Sequence, residues 1–346
     1  GLLEDVLRRR ELSASLWQRS IGDEEVAWRD AIDDIAARPD YGHLQLEPQL
    51  GLVPLGQDPE SGLWEFWHVL SGTRPERDAN TPRFDLEPDN GLVMVLVPPG
   101  LARVGTQAED PSAPHYHPAA TPMESPVHEL ECESFFLSKY ELTRAQWSRM
   151  AGSEPPLEEL GISDPGLLPL DAISWFDSVG VLYRFGLSLP HELQWEYAAR
   201  AGTSDPWWTG PDPSALAFGE NLADASAKAE LAPASWSFEE WEDGFRRAAP
   251  VGTYEPNPFG LHDVLGNVAE WCTGDLSEYP FEAIPRPVDL GPYVEVTDRQ
   301  CPARGGDFSQ NAARSRAGYR AGSVSGVASS FTGVRPARSV ERTESP

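Results

Sequence analysis

The chain has 346 residues, 40 % of them apolar, enough for one large or two modest domains with a packed core. Fifty-five acidic residues against 27 basic ones give a formal net charge of −28, which repels phosphate backbones and argues against a general nucleic-acid partner. Its 33 prolines, 30 glycines and 12 tryptophans speak against a plain helical bundle and for a loop-rich body pinned by aromatics.

From Leu2 to Ala37 apolar positions recur at helical spacing amid dense charge, with Leu12, Leu16 and Trp17, then Val26, Ala31, Ile32 and Ile35, and predict two amphipathic helices. Arg38-Pro39 should stop the second, because the residue before a proline is pushed out of the α region. Leu44-Gln45-Leu46 and Leu50 to Gly56 read as short strands, Gln57 to Gly62 as a turn, and Leu63 to Leu70 alternates as a hairpin partner would. Residues 1–90 are therefore expected as a linker-like extension of helices and a small β segment. No basic stretch followed by a long apolar core opens the chain, and no apolar run approaches the roughly 18 residues that span a bilayer. A cytoplasmic location is expected.

Gly91 to Pro98 is a continuous apolar run, a buried strand opening the main domain. Glu109 to Ser125 reads as a loop, and Val127 to Leu137 alternates as one strand. Thr143 precedes a helix as its N-cap, Asp171 to Arg184 reads as a second helix, and Leu187 to Gly202 as a strand, a proline turn and a short helix. Cys132, Cys272 and Cys301 cannot all pair and none lies in a CxxC motif, so reduced thiols are expected.

Within Gly260-Leu261-His262-Asp263-Val264-Leu265-Gly266-Asn267-Val268-Ala269-Glu270-Trp271, two carboxylates flank a turn whose glycine and asparagine can take positive φ. Side-chain and main-chain oxygens can converge there on a hard cation. The seven histidines are scattered. His115-Tyr116-His117 and His128 do not form a His-x₃-His-x-Glu triad, and His191-Glu192 lacks the second histidine of a zinc-protease helix. No nucleophile elbow, P-loop, dinucleotide fingerprint or kinase motif is present.

Four blocks carry a resemblance: the 260–271 motif, Arg304-Gly305-Gly306-Asp307-Phe308, Gly333-Val334-Arg335-Pro336-Ala337-Arg338, and Leu189-Pro190-His191-Glu192-Leu193-Gln194-Trp195-Glu196-Tyr197-Ala198-Ala199-Arg200. Together they resemble the formylglycine-generating enzyme, or sulfatase-modifying factor, family, over Gly91 to Arg338. The resemblance implies an α+β, irregular, loop-rich C-type-lectin-like domain over 91–340, with an N-terminal helical and small β extension and a tail at 341–346. The extension is similar to the segment joining bacterial Ser/Thr protein kinases to such a domain. The resemblance also implies two structural Ca²⁺ sites. One would use the Asn221 and Asp243 side chains with the carbonyls of Leu222 and Phe245, on a segment longer than the family norm. The other would use Asp263 and Glu270 with the carbonyls of Gly266 and Val268.

Enzymes of this family hold copper on a cysteine pair after the Arg-Gly-Gly motif. Gln310 and Ser315 stand about where that pair belongs, no thiol occurs between Asp307 and Arg320, and neither residue can bind Cu(I). No catalytic residue is therefore assigned. From Asp307 to Thr332 the chain is small, polar and locally basic, and reads as an exposed plate for a protein or small ligand of Asp307, Ser309, Gln310, Asn311, Arg314, Arg316, Tyr319, Ser323 and Phe331. The same interval is hypermutated in related variable proteins of diversity-generating retroelements. The expectation is a non-catalytic recognition module of a bacterial sensing or defence system. The alternatives are a metal-dependent oxidase, related to formylglycine-generating or sulfoxide-synthase enzymes, with a divergent site, and a kinase-system scaffold that meets a signalling partner through the N-terminal helices.

Overall fold

A computed structural model of the protein describes residues 14–155, 166–231, 236–276, 279, 283 and 299–341. The start of the first expected helix and the tail beyond Glu341 lie outside the described residues. Residues 14–20 are helical (α1), and α2 spans Glu25–Ala37. It stops where expected, with Arg38 extended at φ −88° and ψ 126° ahead of Pro39.

Strands follow at Leu52–Gln57 (β1), Trp64–His68 (β2), Glu76–Arg77 (β3), Phe84–Asp85 (β4), Val93–Val97 (β5), Gly100–Val104 (β6), His128–Cys132 (β7) and Phe135–Ser138 (β8). Helices α3 (Arg144–Ala151), α4 (Trp175–Tyr183), α5 (Glu192–Arg200) and α6 (Ala225–Leu231) come next, then β9 (Ala269–Trp271), β10 (Gln300–Arg304), β11 (Ala321–Val324), β12 (Thr332–Gly333) and β13 (Ala337–Ser339). Leu44 to Leu46 is not a strand. The run read as one strand over 127–137 is two. β7 pairs with β6 and β8 with β5 and β13, so the chain changes sheets at Glu133-Ser134, where the alternating burial of β7 gives way to the fully buried β8.

Local chemistry sets the helix starts. Thr143 accepts from the N–H of Gln146 at 3.2 Å while the Gln146 amide oxygen accepts from the N–H of Thr143 at 3.0 Å, a reciprocal cap. Ser174 Oγ accepts from the N–H of Asp177 at 3.1 Å, and His191 Nδ1 from that of Leu193 at 3.3 Å.

The five-stranded sheet runs β1-β2-β5-β8-β13, antiparallel at each joint. The segment expected as a linker-like extension thus hydrogen-bonds into the main sheet, Glu65 opposite Val95 and Trp67 opposite Val93. A lone hairpin would leave an unpaired edge and a bare apolar face, and joining the sheet covers both. Trp28 of α2 lies 5.5 Å from Phe66 of β2, which meets Phe136 of β8 edge-on at 5.2 Å. Helix α2 spends its apolar face, Trp28, Ala31 and Ile35, on this core. The second sheet, β11-β10-β9-β12, carries the motifs of interest: Glu270 lies in β9 and Arg304 ends β10.

Candidate functional site

The 260–271 turn is built on two left-handed residues, Asp263 at φ 56° and Asn267 at φ 59°. Gly266 serves close approach instead, since a Cβ there would lie 2.5 Å from the Asn221 carbonyl oxygen. The Asn267 side chain ties the turn together. Its Nδ2 donates to Glu141 at 2.6 Å, and its Oδ1 accepts from Asn221 Nδ2 at 3.0 Å and from the Ala249 N–H at 2.8 Å.

Glu270 departs from its expected role as a cation ligand. Its two oxygens accept from Arg335 Nε at 2.9 and 3.0 Å, and Oε2 also accepts from Trp195 Nε1 at 2.6 Å. The carboxylate is the counter-ion of a buried guanidinium, its capacity spent. Val268 donates its N–H to Glu141, a carboxylate that sequence reading did not pick out. Burial, then the charges of Asp263 and Glu270, push Glu141 well above the usual carboxylate range. Burial likewise raises Asp263 to about 6. The second cation set is therefore encumbered, because both Glu270 oxygens already accept from Arg335 and one also from Trp195.

The first set is better suited. Asp243 accepts from the N–H groups of Leu222 and Phe245, each at 2.9 Å, so the four positions do converge. Burial pushes Asp243 up to about 7, and the neighbouring Asp224, which accepts from the Asp243 N–H, adds to that. Asn221 Oδ1 is buried with no partner. An orphaned oxygen near a carboxylate, Asp243, that resists ionisation is a deficit a hard oxygen-seeking cation relieves, so these residues fit Ca²⁺.

The expected plate divides. Arg314 and Phe331 are exposed, and Ser309, Gln310, Asn311, Tyr319 and Ser323 are half-buried. Asp307 is buried and caps its own turn, accepting from the N–H of Ser309 at 2.8 Å; burial raises it to about 6. Arg316 is 1 % exposed and bound to Glu124 at 2.6 and 3.1 Å, so it belongs to the interior rather than to an exposed plate. Ser323 sits on β11, opposite Cys301. The stretch folds back because Gly306, at φ 75°, has no Cβ; one would stand 2.5 Å from Ser315 Oγ.

Sequence reading missed the contribution of the long segment before Asp243. Trp236 lies 6.5 Å from Phe331, which lies 5.5 Å from Phe308, and Glu239 accepts from the Ala312 N–H at 2.9 Å. The signal was there: an aromatic pair in a segment already longer than the family norm.

All three thiols are buried. Burial raises Cys132 to about 12, Cys301 to about 11 and Cys272 well above the ordinary range, so none is a ready thiolate. No described helix is long and apolar enough to cross a membrane.

Residues 83–340 match the sulfatase-modifying factor enzyme 1-like domain family. The chain is 26 % identical over 257 residues to the formylglycine-generating enzyme of Bos taurus, covering 58 % of this chain and 63 % of that protein, so it spans about three fifths of this relative's length. It is 32 % identical over 132 residues to the inactive C-alpha-formylglycine-generating enzyme 2 of Bos taurus, covering 37 % of this chain and 38 % of that protein. It is 27 % identical over 240 residues to the serine/threonine-protein kinase pkn1 of Chlamydia pneumoniae, covering 63 % of this chain and 35 % of the kinase. Among solved structures, PvdO from Pseudomonas aeruginosa superposes with a TM-score of 0.55 at 23 % identity, covering 72 % of this chain and 95 % of its own. Treponema denticola variable protein 1 follows at 0.51 and 18 %, covering 72 % and 96 %. Both likenesses are of fold.

Proposed function

Because the chain belongs to the sulfatase-modifying factor enzyme 1-like domain family, we propose that it keeps that family's scaffold as a ligand-binding module without its thiol chemistry. The observation that carries this is the absence of sulfur from Asp307 to Thr332, together with the burial of all three thiols elsewhere. About where the family's cysteine pair would belong stand Gln310 and Ser315, an amide and a buried hydroxyl that donates to the Asn311 carbonyl at 3.4 Å rather than to a base. Similarity to a relative named as inactive supports the reading.

The recognition surface would consist of Arg314, Phe331, Gln310, Asn311 and Tyr319, with Trp236 extending it. Exposed arginine and aromatic groups supply anchoring area, and Gln310 Oε1, buried without a partner, is a directional acceptor. The likeness to a variable protein motivates a finer reading, that this interval is diversified by a retroelement. Neighbouring DNA tests it: a reverse transcriptase gene and a near-copy of the segment ending at Arg335 are expected, and their absence ends that reading.

Calcium belongs to the proposal as a structural ion at the Asn221–Asp243 set. It would supply countercharge there and pin loops that have little regular hydrogen bonding.

The test of function has two arms. Copper titration with a cysteine peptide under oxygen should give neither stoichiometric redox metal nor aldehyde, and turnover would establish the oxidase alternative. An array of glycans and proteins should capture the parent chain at a feature that an Arg314→Ala/Phe331→Ala variant no longer recognises. Equal capture of the two would remove the surface from the proposal.

A further inference from the structure

The N-terminal segment closes one side of a cavity whose lining includes no residue of 307–332. The cavity encloses about 640 Å³ between α1, the approach to β1, the end of β2, the C-terminal ends of α3 and α4, and β13. Leu16, Val69, Met150 and Phe185 form its apolar wall, and Arg19, Arg149, Arg184 and Arg338 face it against a single carboxylate, Glu341. That is a local excess of positive charge in a chain of net charge −28.

Two of the four guanidinium groups are already engaged. Arg149 donates to the carbonyls of Ser71, Pro88 and Asn90 at 3.0, 2.5 and 2.8 Å and feels the charge of Asp89. Arg338 donates to the Leu50 carbonyl at 2.8 Å and to Glu341 at 2.6 Å. The guanidinium groups of Arg19 and Arg184 have no hydrogen-bond or ion-pair partner among the described residues.

His68 adds a directional group. It is fully buried, and its Nε2 lies 3.1 Å from the Phe185 carbonyl, which can only accept, so Nε2 carries the proton. Burial, with Arg338 nearby, pushes the ring down to about 4 and keeps it neutral. Nδ1 is then a bare lone pair, and it is buried without a partner. Leaving such an atom unsatisfied is unfavourable, and an O–H or N–H donor that reached it would relieve it.

We infer that this cavity binds a small organic phosphate. Arg19 and Arg184 hold its charge, and Leu16, Met150 and Phe185 cover an apolar or aromatic body. Two unpaired guanidinium forks suit a dianion with several oxygens better than a single carboxylate. The volume falls within the range of about 300–1,000 Å³ usual for small-molecule sites. A free metabolite and a lipid headgroup share this phosphate monoester chemistry.

Isothermal titration of the full chain with adenosine 5′-monophosphate, inorganic phosphate and adenosine tests the free source. Co-sedimentation with phosphatidylcholine vesicles, with and without phosphatidic acid, tests the headgroup. Saturable binding is expected in one arm, dependent on the phosphate, and weakened at least tenfold by Arg19→Gln and by Arg184→Gln. Neither side chain has a partner to lose, so the melting temperature of the unliganded variants should match the parent. No saturable binding in either arm, or full binding by the double variant, overturns the inference.

Discussion

Arg335 and Glu270 meet along their polar edges deep in the fold, Nε 2.9 and 3.0 Å from the two carboxylate oxygens and Nη2 2.7 Å from Oε1, with both residues no more than 1 % exposed. Glu270 comes from β9 of the smaller sheet, and Arg335 precedes β13 at the edge of the larger one, so the pair joins the two sheets. Arg335 also donates to the carbonyls of Ser138, Lys139 and His262 at 3.1, 3.0 and 2.8 Å. Its charge also acts on Glu141 and Asp263, so three buried carboxylates share one guanidinium.

Arg335→Met should therefore be among the costliest single changes in the chain. Removing one partner of a buried ion pair strands the other, typically at about 3–5 kcal/mol. Here the loss strands Glu270 and removes the guanidinium whose charge also offsets those of Glu141 and Asp263. Glu270→Gln should cost less, because Arg335 keeps the other two acids. Urea unfolding gives both values, and an Arg335→Met variant within about 0.5 kcal/mol of the parent contradicts this picture.

Arg316 and Tyr319, three residues apart, should separate stability from recognition. Arg316 donates to Glu124 at 2.6 Å and to the Ala313 carbonyl at 2.7 Å, so Arg316→Ala strands a buried carboxylate and should cost about 3 kcal/mol or more. Tyr319 is half-buried, and its recorded ring contact is the Arg316 guanidinium at 5.8 Å. Tyr319→Ala should keep a near-parental melting temperature. Thermal unfolding of the two variants checks the contrast, and equal losses would mean Tyr319 is also core.

These arginines mark the limit of what the sequence discloses. Thr143 with Gln146, and the apolar run at Val93 to Val97, are local signals, and both elements form where expected. Arg314 and Arg316 share composition and neighbourhood, yet one is exposed and the other buried. The difference is Glu124, 192 residues away along the chain from Arg316, and no window of sequence contains both. The partner of Glu270 was hidden for the same reason, because it arrives from 65 residues further on. The change of sheet between β7 and β8 left one local trace, the end of alternation at Phe135-Phe136-Leu137, but that trace does not say which strand lies alongside.

Stability should fall as pH rises from about 6.5 to 8 in metal-free buffer. Burial raises Asp243 to about 7 and Glu220 to about 8, so the native state holds protons that the unfolded chain has released above about 4. A native state that binds more protons loses stability as pH increases, up to about 1.4 kcal/mol per pH unit for each proton. The histidines act in the opposite sense but elsewhere. His68, His115 and His191 are pushed down to about 4 by burial, so acidification below about 6.5 protonates the unfolded rings first and destabilises the fold. That opposition fades above about 6.5 as the unfolded rings become neutral too, so the carboxylates dominate toward pH 8. Urea unfolding at the two pH values checks this, and a rise toward pH 8 refutes it.

Calcium should reverse that loss, and the reversal should depend on Asp243 rather than Glu270. A cation at the Asn221–Asp243 set binds the ionised carboxylate, so at pH 6 it must displace a proton and at pH 8 it need not. The increase in melting temperature on adding calcium should therefore be larger at pH 8, and at 100 times the dissociation constant the stabilisation is about 2.7 kcal/mol. Asp243→Asn should abolish the response. Glu270→Gln, though destabilising, should retain it, because both Glu270 oxygens already belong to Arg335. Thermal unfolding in calcium and in EDTA at both pH values gives all four comparisons. A parent chain indifferent to EDTA removes calcium from the account, and a response lost in Glu270→Gln but kept in Asp243→Asn moves the ion to the turn at Asp263.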